Sequence, residues 1–218
     1  MIKTKNNGNL IVISGPSGAG KGTICSELLK RNKNIVETIS YTSREKANTE
    51  IDGINYYYIT KEEFENKIKN DFFLEYAKVH NNDYYGTPKQ TVIDNLNKGL
   101  NVLLEIDIEG ALKVKEVIKD VLCIFILPPS MKELKNRLYK RNRESEDKII
   151  SRFKKAYQEI NQISKYNYVV VNDEIDYAVS KIEAILIAEK CRVDRIEELE
   201  LDNVEETVHE SLIKGDKK

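Results

Sequence analysis

Leu10-Ile11-Val12-Ile13-Ser14 runs straight into Gly15-Pro16-Ser17-Gly18-Ala19-Gly20-Lys21-Gly22-Thr23, and the fold is decided there. A short β-branched apolar run bounded by turn residues predicts a buried strand. The glycines let successive backbone N–H groups turn inward around an oxyanion. The helix predicted next, Ile24–Arg31, points its positive end at the same place. Strand, glycine loop and helix in this order are the context that a phosphate loop needs. Lys21 reaches β- and γ-phosphates as a mobile point charge, so the loop implies a nucleoside triphosphate. It carries no information about an acceptor. The strict pattern has Ser or Thr directly after the lysine, for Mg²⁺; here Gly22 stands there and Thr23 follows. Either Thr23 helps to hold the ion, or water and phosphate oxygens hold it, as Mg²⁺ allows.

Outward from the loop, apolar runs alternate with helical patterns. Asn34–Ser40 predicts a strand. The stretch 41–86 is polar and Tyr-rich, with one helix, Lys61–Asn70, among short strands. It reads as an insert that covers a site. Strands are then predicted at Asn101–Asp107, Val121–Leu127 and Tyr168–Val171. Helices are predicted at Ala111–Lys119, Met131–Asn142, Asp147–Ser164 and from Glu174 onward. Such alternation implies an α/β fold: a parallel sheet with right-handed crossovers and helices on both faces. Ligands in these sheets bind beyond the carboxyl ends of the strands.

Composition narrows the function classes. With 35 Lys and Arg against 36 Asp and Glu, the net charge is −1, so no global basic field holds a nucleic acid. No apolar run reaches bilayer-spanning length, and Met1–Asn9 has no apolar h-region of a signal peptide. Cys25, Cys123 and Cys191 form no metal or CxxC spacing. The expectation is a cytoplasmic protein that touches neither membrane nor nucleic acid. His80 and His209 are isolated and receive no role.

Three further segments resemble the guanylate kinase family. Its pattern Ser-x-Thr-Thr-Arg-x-x-Arg-x-Gly-Glu-x-x-Gly-x-x-Tyr is similar to Ser40-Tyr41-Thr42-Ser43-Arg44 through Glu50, Gly53 and Tyr56. A Glu upstream of Tyr-Tyr-Gly-(Ser/Thr) is matched by Glu75 and Tyr84-Tyr85-Gly86-Thr87, and an acidic-Ile-Asp strand end by Glu105-Ile106-Asp107. The resemblance runs from about Leu10 to Arg195. It implies a P-loop parallel sheet flanked by helices, with an inserted GMP-binding domain and a helical lid. The implied boundaries are a kinase-like unit over 1-205 (core 8-38, 88-135 and 158-205, insert 39-87, lid 136-157) and a tail over 206-218. The implied reaction is transfer of the γ-phosphoryl of ATP to GMP, with Mg²⁺ accompanying ATP. Oligomeric state is left open.

The resemblance also assigns residues. Guanine presents two adjacent donors, N1–H and the 2-amino group, which one carboxylate accepts together. By resemblance Glu75 is that carboxylate, Asp107 a second acidic contact, and the Thr87 hydroxyl serves O6. Adenine has a lone pair at N1 and would leave the carboxylate unpaired, a mismatch that can discriminate by about 10⁴ to 10⁵. The phosphate loop alone reads equally as that of an adenylate kinase; Glu75, Thr87 and Asp107 argue against it. Ser40, Arg44, Tyr56 and Tyr85 are the implied donors to the GMP phosphate. Ala47 replaces the second family arginine, and Lys46 is expected to take over part of its role. Thr49 and Glu109 also depart from the pattern.

Arg137 and Arg141 share a helix face at i,i+4 spacing. With Arg152 they resemble the lid arginines that close over ATP, while residues 141–146 read as a mobile loop and Arg143 as solvated. Gly15 through Thr23, with Asn172 near adenine, form the implied ATP site. An acceptor phosphate oxygen is already ionised near neutral pH, so no Ser, His or Cys machinery is required. Lys21, Arg137, Arg141 and Arg152 are the implied catalytic groups, acting by positioning and charge neutralisation. Because they all stand, a binding module that has lost catalysis is disfavoured.

Overall fold

The computed structural model describes residues 2–4, 8–79, 82–141 and 146–199. The chain divides into two compact units, one of Asn7–Ile182 and one of Met1–Asn6 with Glu183–Lys218. In the smaller unit β1 (Ile2–Thr4) pairs antiparallel with β11 (Ile196–Leu199).

The larger unit is built on a parallel sheet. Its strands are β2 (Leu10–Ser14), β3 (Ile35–Glu37), β8 (Asn101–Glu105), β9 (Leu122–Leu127) and β10 (Tyr168–Val171), in the order β10-β9-β2-β8-β3. All five residues of β2 are buried, as a central strand covered on both faces requires. β8 and β9 flank β2, so the connections leave it in opposite directions and open a crevice at its carboxyl end. Helices cover the sheet: α1 (Lys21–Arg31) through Ile24 and Leu28, α3 (Lys89–Asn97) through Val92, and α4 (Ile108–Val117) through Ala111 and Val114. Val12, Val102, Leu104, Val114 and Cys123 belong to one buried cluster. α5 (Met131–Arg141) and α6 (Glu146–Ile160) share a small core of Leu134, Leu138, Ile149 and Ala156. α7 (Ile175–Glu189) follows β10, and its Ala178, Val179 and Ile182 are buried.

Several boundaries differ from the sequence expectations. The strand expected over 34–40 pairs only at Ile35–Glu37. The helix expected from Ala111 begins at Ile108, because Asp107 caps it. Helix α3 was not anticipated.

The stretch 41–88 forms a separate four-stranded sheet. β4 (Tyr41–Thr42), β5 (Tyr57–Tyr58), β6 (Phe73–Val79) and β7 (Asp83–Pro88) lie in the order β5-β4-β7-β6. α2 (Lys61–Lys69) starts in a capping box between Thr60 and Glu63. Its fully buried Phe64 stacks between Phe73, 4.3 Å between ring centroids, and Tyr84, 5.1 Å. Gly86 lies under the same rings, and a Cβ there would sit 2.9 Å from both Phe64 and Phe73. The insert therefore carries an aromatic core of its own. Phe64→Ala is expected to cost about 3–5 kcal/mol, seen as a lowered urea midpoint; a loss under about 1 kcal/mol would mean that the stack carries little.

Candidate active site

The site is assembled at the carboxyl ends of β2, β8 and β10. At the end of β2 the chain must turn against β9, where a Cβ on Gly15 (φ +144°) would lie 2.3 Å from the Ile126 carbonyl oxygen. Only glycine fits. The Ala19 N–H donates to the Pro16 carbonyl at 3.1 Å and closes the loop. Gly20, the left-handed N-cap of α1, leaves the first-turn N–H groups of the helix to whatever lies before them. The Lys21 ammonium folds back over the loop and donates to the carbonyls of Gly15 at 2.7 Å and Pro16 at 3.3 Å. Burial holds its pKa below the ordinary lysine value, against the opposing charges of Glu105 and Glu159. Thr23 is exposed on α1.

Two residues expected at the nucleotide site are brought onto this loop. Asn172, 4% exposed at the end of β10, donates from Nδ2 to the Ala19 carbonyl at 2.7 Å. Arg137 on α5 reaches the same carbonyl from Nη1 at 3.5 Å and the Asn172 carbonyl from Nη2 at 3.3 Å. Its Nε is held by Glu133 at 3.1 Å. Arg152 is half-buried on α6. The side chain of Arg141, and residues 142–145 with Arg143, lie outside the described residues.

The acceptor-side residues form two groups. The first contains Glu75 on β6, opposite Thr87 on β7 in the strand register. The Thr87 hydroxyl donates to Glu75 Oε1 at 2.7 Å, and both side chains are buried. Asp107 follows β8, and its Oδ1 accepts from the Gly110 N–H at 2.8 Å. A Cβ on Gly110 would lie 3.0 Å from Glu75 Oε2 and 3.3 Å from Asp107 Oδ1, so the two carboxylates converge over this glycine. Burial raises the Glu75 pKa; the Thr87 hydrogen bond opposes this and the Asp107 charge adds to it.

The second group is aromatic and basic. The Arg44 guanidinium forks onto Glu50 at 2.9 and 3.0 Å. It also donates to Tyr85 Oη at 3.1 Å and to the Glu45 carbonyl at 2.8 Å, and lies 5.7 Å from the ring centroids of Tyr56 and Tyr58. Four of its five N–H groups are thus engaged, leaving one on Nη2. Arg44, and next the Ala47 N–H, pull the Glu50 pKa down to about 2. Lys46, expected to take over from the missing arginine, donates to the Glu50 carbonyl at 2.9 Å and braces this turn. Ser40, Tyr56 and Thr87 line a cavity of about 390 Å³ together with Glu37 and Glu105.

Glu50, Gly110 and Glu105 carry no role in the sequence reading. Glu50 sits in the quoted pattern, but its partner becomes visible only when the Ala47–Glu50 turn closes. Glu105 sits beside Asp107, and its Oε2 would lie 3.3 Å from a Cβ on Gly22.

A parallel α/β sheet with a glycine cradle at the end of its central strand defines a P-loop nucleotide-binding protein. The family model for guanylate kinase matches residues 7–189. The guanylate kinase of Clostridium tetani is 60% identical over 205 residues, 94% of this chain and 98% of that one. That of Clostridium perfringens strain 13 is 58% identical over 211 residues, 97% of each. The crystal structure of guanylate kinase from Anaplasma phagocytophilum superposes with a TM-score of 0.73 at 35% identity, over 89% of this chain and 92% of that one. The chain belongs to the guanylate kinase family.

The raised Glu75 pKa has a consequence for stability. The folded chain holds this proton more tightly than the unfolded chain, so stability falls as pH rises from the ordinary glutamate value of 4.5 through the raised one. Glu75→Gln still accepts from Thr87 and carries no charge. Urea midpoints measured from about pH 4 to about pH 8 should show the unsubstituted chain losing ground to the variant as pH rises. A difference that does not change with pH would exclude a desolvated carboxylate.

Proposed function

We propose that this protein transfers the γ-phosphoryl group of ATP to GMP, giving ADP and GDP. The observation that carries the reading is the buried Glu75 carboxylate, with Thr87 on one oxygen and the Asp107 carboxylate drawn close to the other. The Glu75 carboxylate, held out of water, is poorly satisfied by Thr87 alone, and the exposed Asp107 carboxylate beside it adds a second negative charge. A ligand edge with two adjacent donors relieves them, and guanine has that edge. As guanine N–H groups arrive, the Thr87 hydroxyl can turn its hydrogen bond from Glu75 Oε1 to guanine O6, keeping its proton, so every group ends paired. Because those donors favour ionised Glu75, GMP affinity is expected to weaken as pH falls into the carboxylate range.

The acceptor phosphate meets the second group. The remaining Arg44 Nη2–H and the hydroxyls of Tyr85, Tyr56 and Ser40 are its donors. Tyr85 accepts from Arg44 and so keeps its own proton to give. Burial keeps the Tyr56 phenol protonated and a donor. At the other end, the loop N–H groups, Lys21 and Arg137 hold the triphosphate, with Arg141 and Arg152 completing the charge around the transferred group. No general base is required, since the attacking oxygen is already ionised; the work is alignment and neutralisation. The residues present fit Mg²⁺: the Glu105 carboxylate lies against Gly22, 3.3 Å from where a Cβ would stand, and Thr23, the next residue of α1, is exposed and carries a hydroxyl. When bound with ATP, the ion would neutralise phosphate oxygens. The free state of Cys25, Cys123 and Cys191 suits a reducing cytoplasm. No helix among the described residues is long and apolar enough to cross a membrane.

A coupled ADP-release assay with GMP, AMP and dTMP as acceptors tests the assignment. GMP should be the preferred acceptor. Glu75→Gln should lose about 10- to 150-fold in kcat/KM for GMP, as removal of a charged hydrogen bond implies. Equal rates with AMP, or a variant that keeps full preference for GMP, would overturn the reading.

A further inference from the structure

The Ala19 carbonyl is a crowded acceptor. Asn172 Nδ2 lies 2.7 Å from it and Arg137 Nη1 3.5 Å. Asn172 is itself fixed, because its N–H donates to the Leu127 carbonyl at 2.7 Å and continues the β9–β10 pairing. It is buried, and its amide is so close to the loop that a Cβ on Gly20 would lie 2.3 Å from Nδ2. The Ala19 carbonyl can only accept, so the nitrogen of the Asn172 amide must face it. In a trans peptide the carbonyl and the following N–H point to opposite sides. Holding the Ala19 carbonyl toward Asn172 therefore turns the Gly20 N–H away from β10, to the side on which the loop must collect its donors. A glycine at φ +93° has wide backbone freedom and would not keep this orientation by itself.

We propose that Asn172 is a positioning residue of the phosphate cradle, acting on the triphosphate through the Ala19–Gly20 peptide and not on the nucleobase. This deepens the phosphoryl-transfer reading and rests on it for the identity of the loop's ligand. Arg137 joins the same clasp from the helical side. It ties the orientation of this peptide to the position of α5.

The test separates phosphate from base. Asn172→Ala and the nearly isosteric Asn172→Asp are made in the full chain, and dissociation constants are measured for ATP, inorganic tripolyphosphate and GMP. The alanine variant should weaken ATP and tripolyphosphate by the same factor, about 2- to 13-fold for one neutral hydrogen bond. GMP binding should be unchanged. The aspartate variant sets a carboxylate against a carbonyl and should weaken both triphosphates further. Weakened ATP with unaltered tripolyphosphate would make Asn172 a reader of the base and overturn the proposal. So would unaltered binding of both, or loss of GMP binding and of the folded circular dichroism spectrum in both variants. Failure of the unsubstituted chain to phosphorylate GMP would strike the transfer reading alone, because the comparison of ATP with tripolyphosphate needs no turnover.

Discussion

Everything at the nucleotide end depends on how closely the Ile126 carbonyl approaches Gly15. A side chain there would collide with backbone that is already paired in the sheet. With none, the chain leaves β2, turns at once and re-enters as α1 with Lys21 as its first helical residue. The loop is thus seated on β9, the strand whose continuation leads into α5 and Arg137. Strand spacing and the loop's shape are parts of one constraint. A shift of β9 by a fraction of an ångström would be felt at the anion site without any change in the loop's own sequence.

Charge is distributed unequally between the two ends of the site. The loop end has a half-buried lysine whose burial works against its charge, held in check by Glu105 and Glu159. The acceptor end has an arginine with two N–H groups on Glu50, one on Tyr85 and one on the Glu45 carbonyl, and Ala47 contributes its backbone N–H to the Glu50 carboxylate. Arg44 is therefore rigid and partly neutralised before any anion arrives. Toward the proposed acceptor phosphate, such an arrangement exchanges affinity for fixed direction. Direction is what an in-line transfer needs.

The sequence disclosed the local features and concealed the distant ones. Leu10–Thr23 was readable because strand, turn and helix are contiguous and each residue's reason lies within a few positions. The alternation of the sheet was readable for the same cause. Helix Lys89–Asn97 was not, since Thr91, Val92 and Ile93 are β-branched and lower its intrinsic preference, while burial of Val92 decides the matter in the fold. The start of α4 lies three residues before the expected Ala111, at Ile108, because Asp107 caps it. Within that helix Gly110 makes room for two carboxylates, Glu75 from β6 and Asp107 from the helix N-cap. The meeting of Glu75 with Thr87 depends on a register that shifts between Phe73 and Glu75, which no pattern of alternation predicts. Only the family resemblance drew those residues together in advance. The pairing of Ile2–Thr4 with Ile196–Leu199 joins the two ends of the described chain and leaves no local trace.

The aromatic character of the insert has an optical consequence. The chain has no tryptophan and 12 tyrosines, so its near-ultraviolet emission comes from phenol rings alone. Tyr41, Tyr56, Tyr57, Tyr58, Tyr76, Tyr84 and Tyr85 all lie between residues 41 and 88, and several are in ring contact with one another. Excitation energy absorbed by one of these rings has close neighbours to hop among. The Tyr85 phenol, which accepts from Arg44, is joined to that set through its ring contact with Tyr56. A ligand that took up the Tyr85 hydroxyl would change the surroundings of one ring in this set, and with it the light that the insert emits.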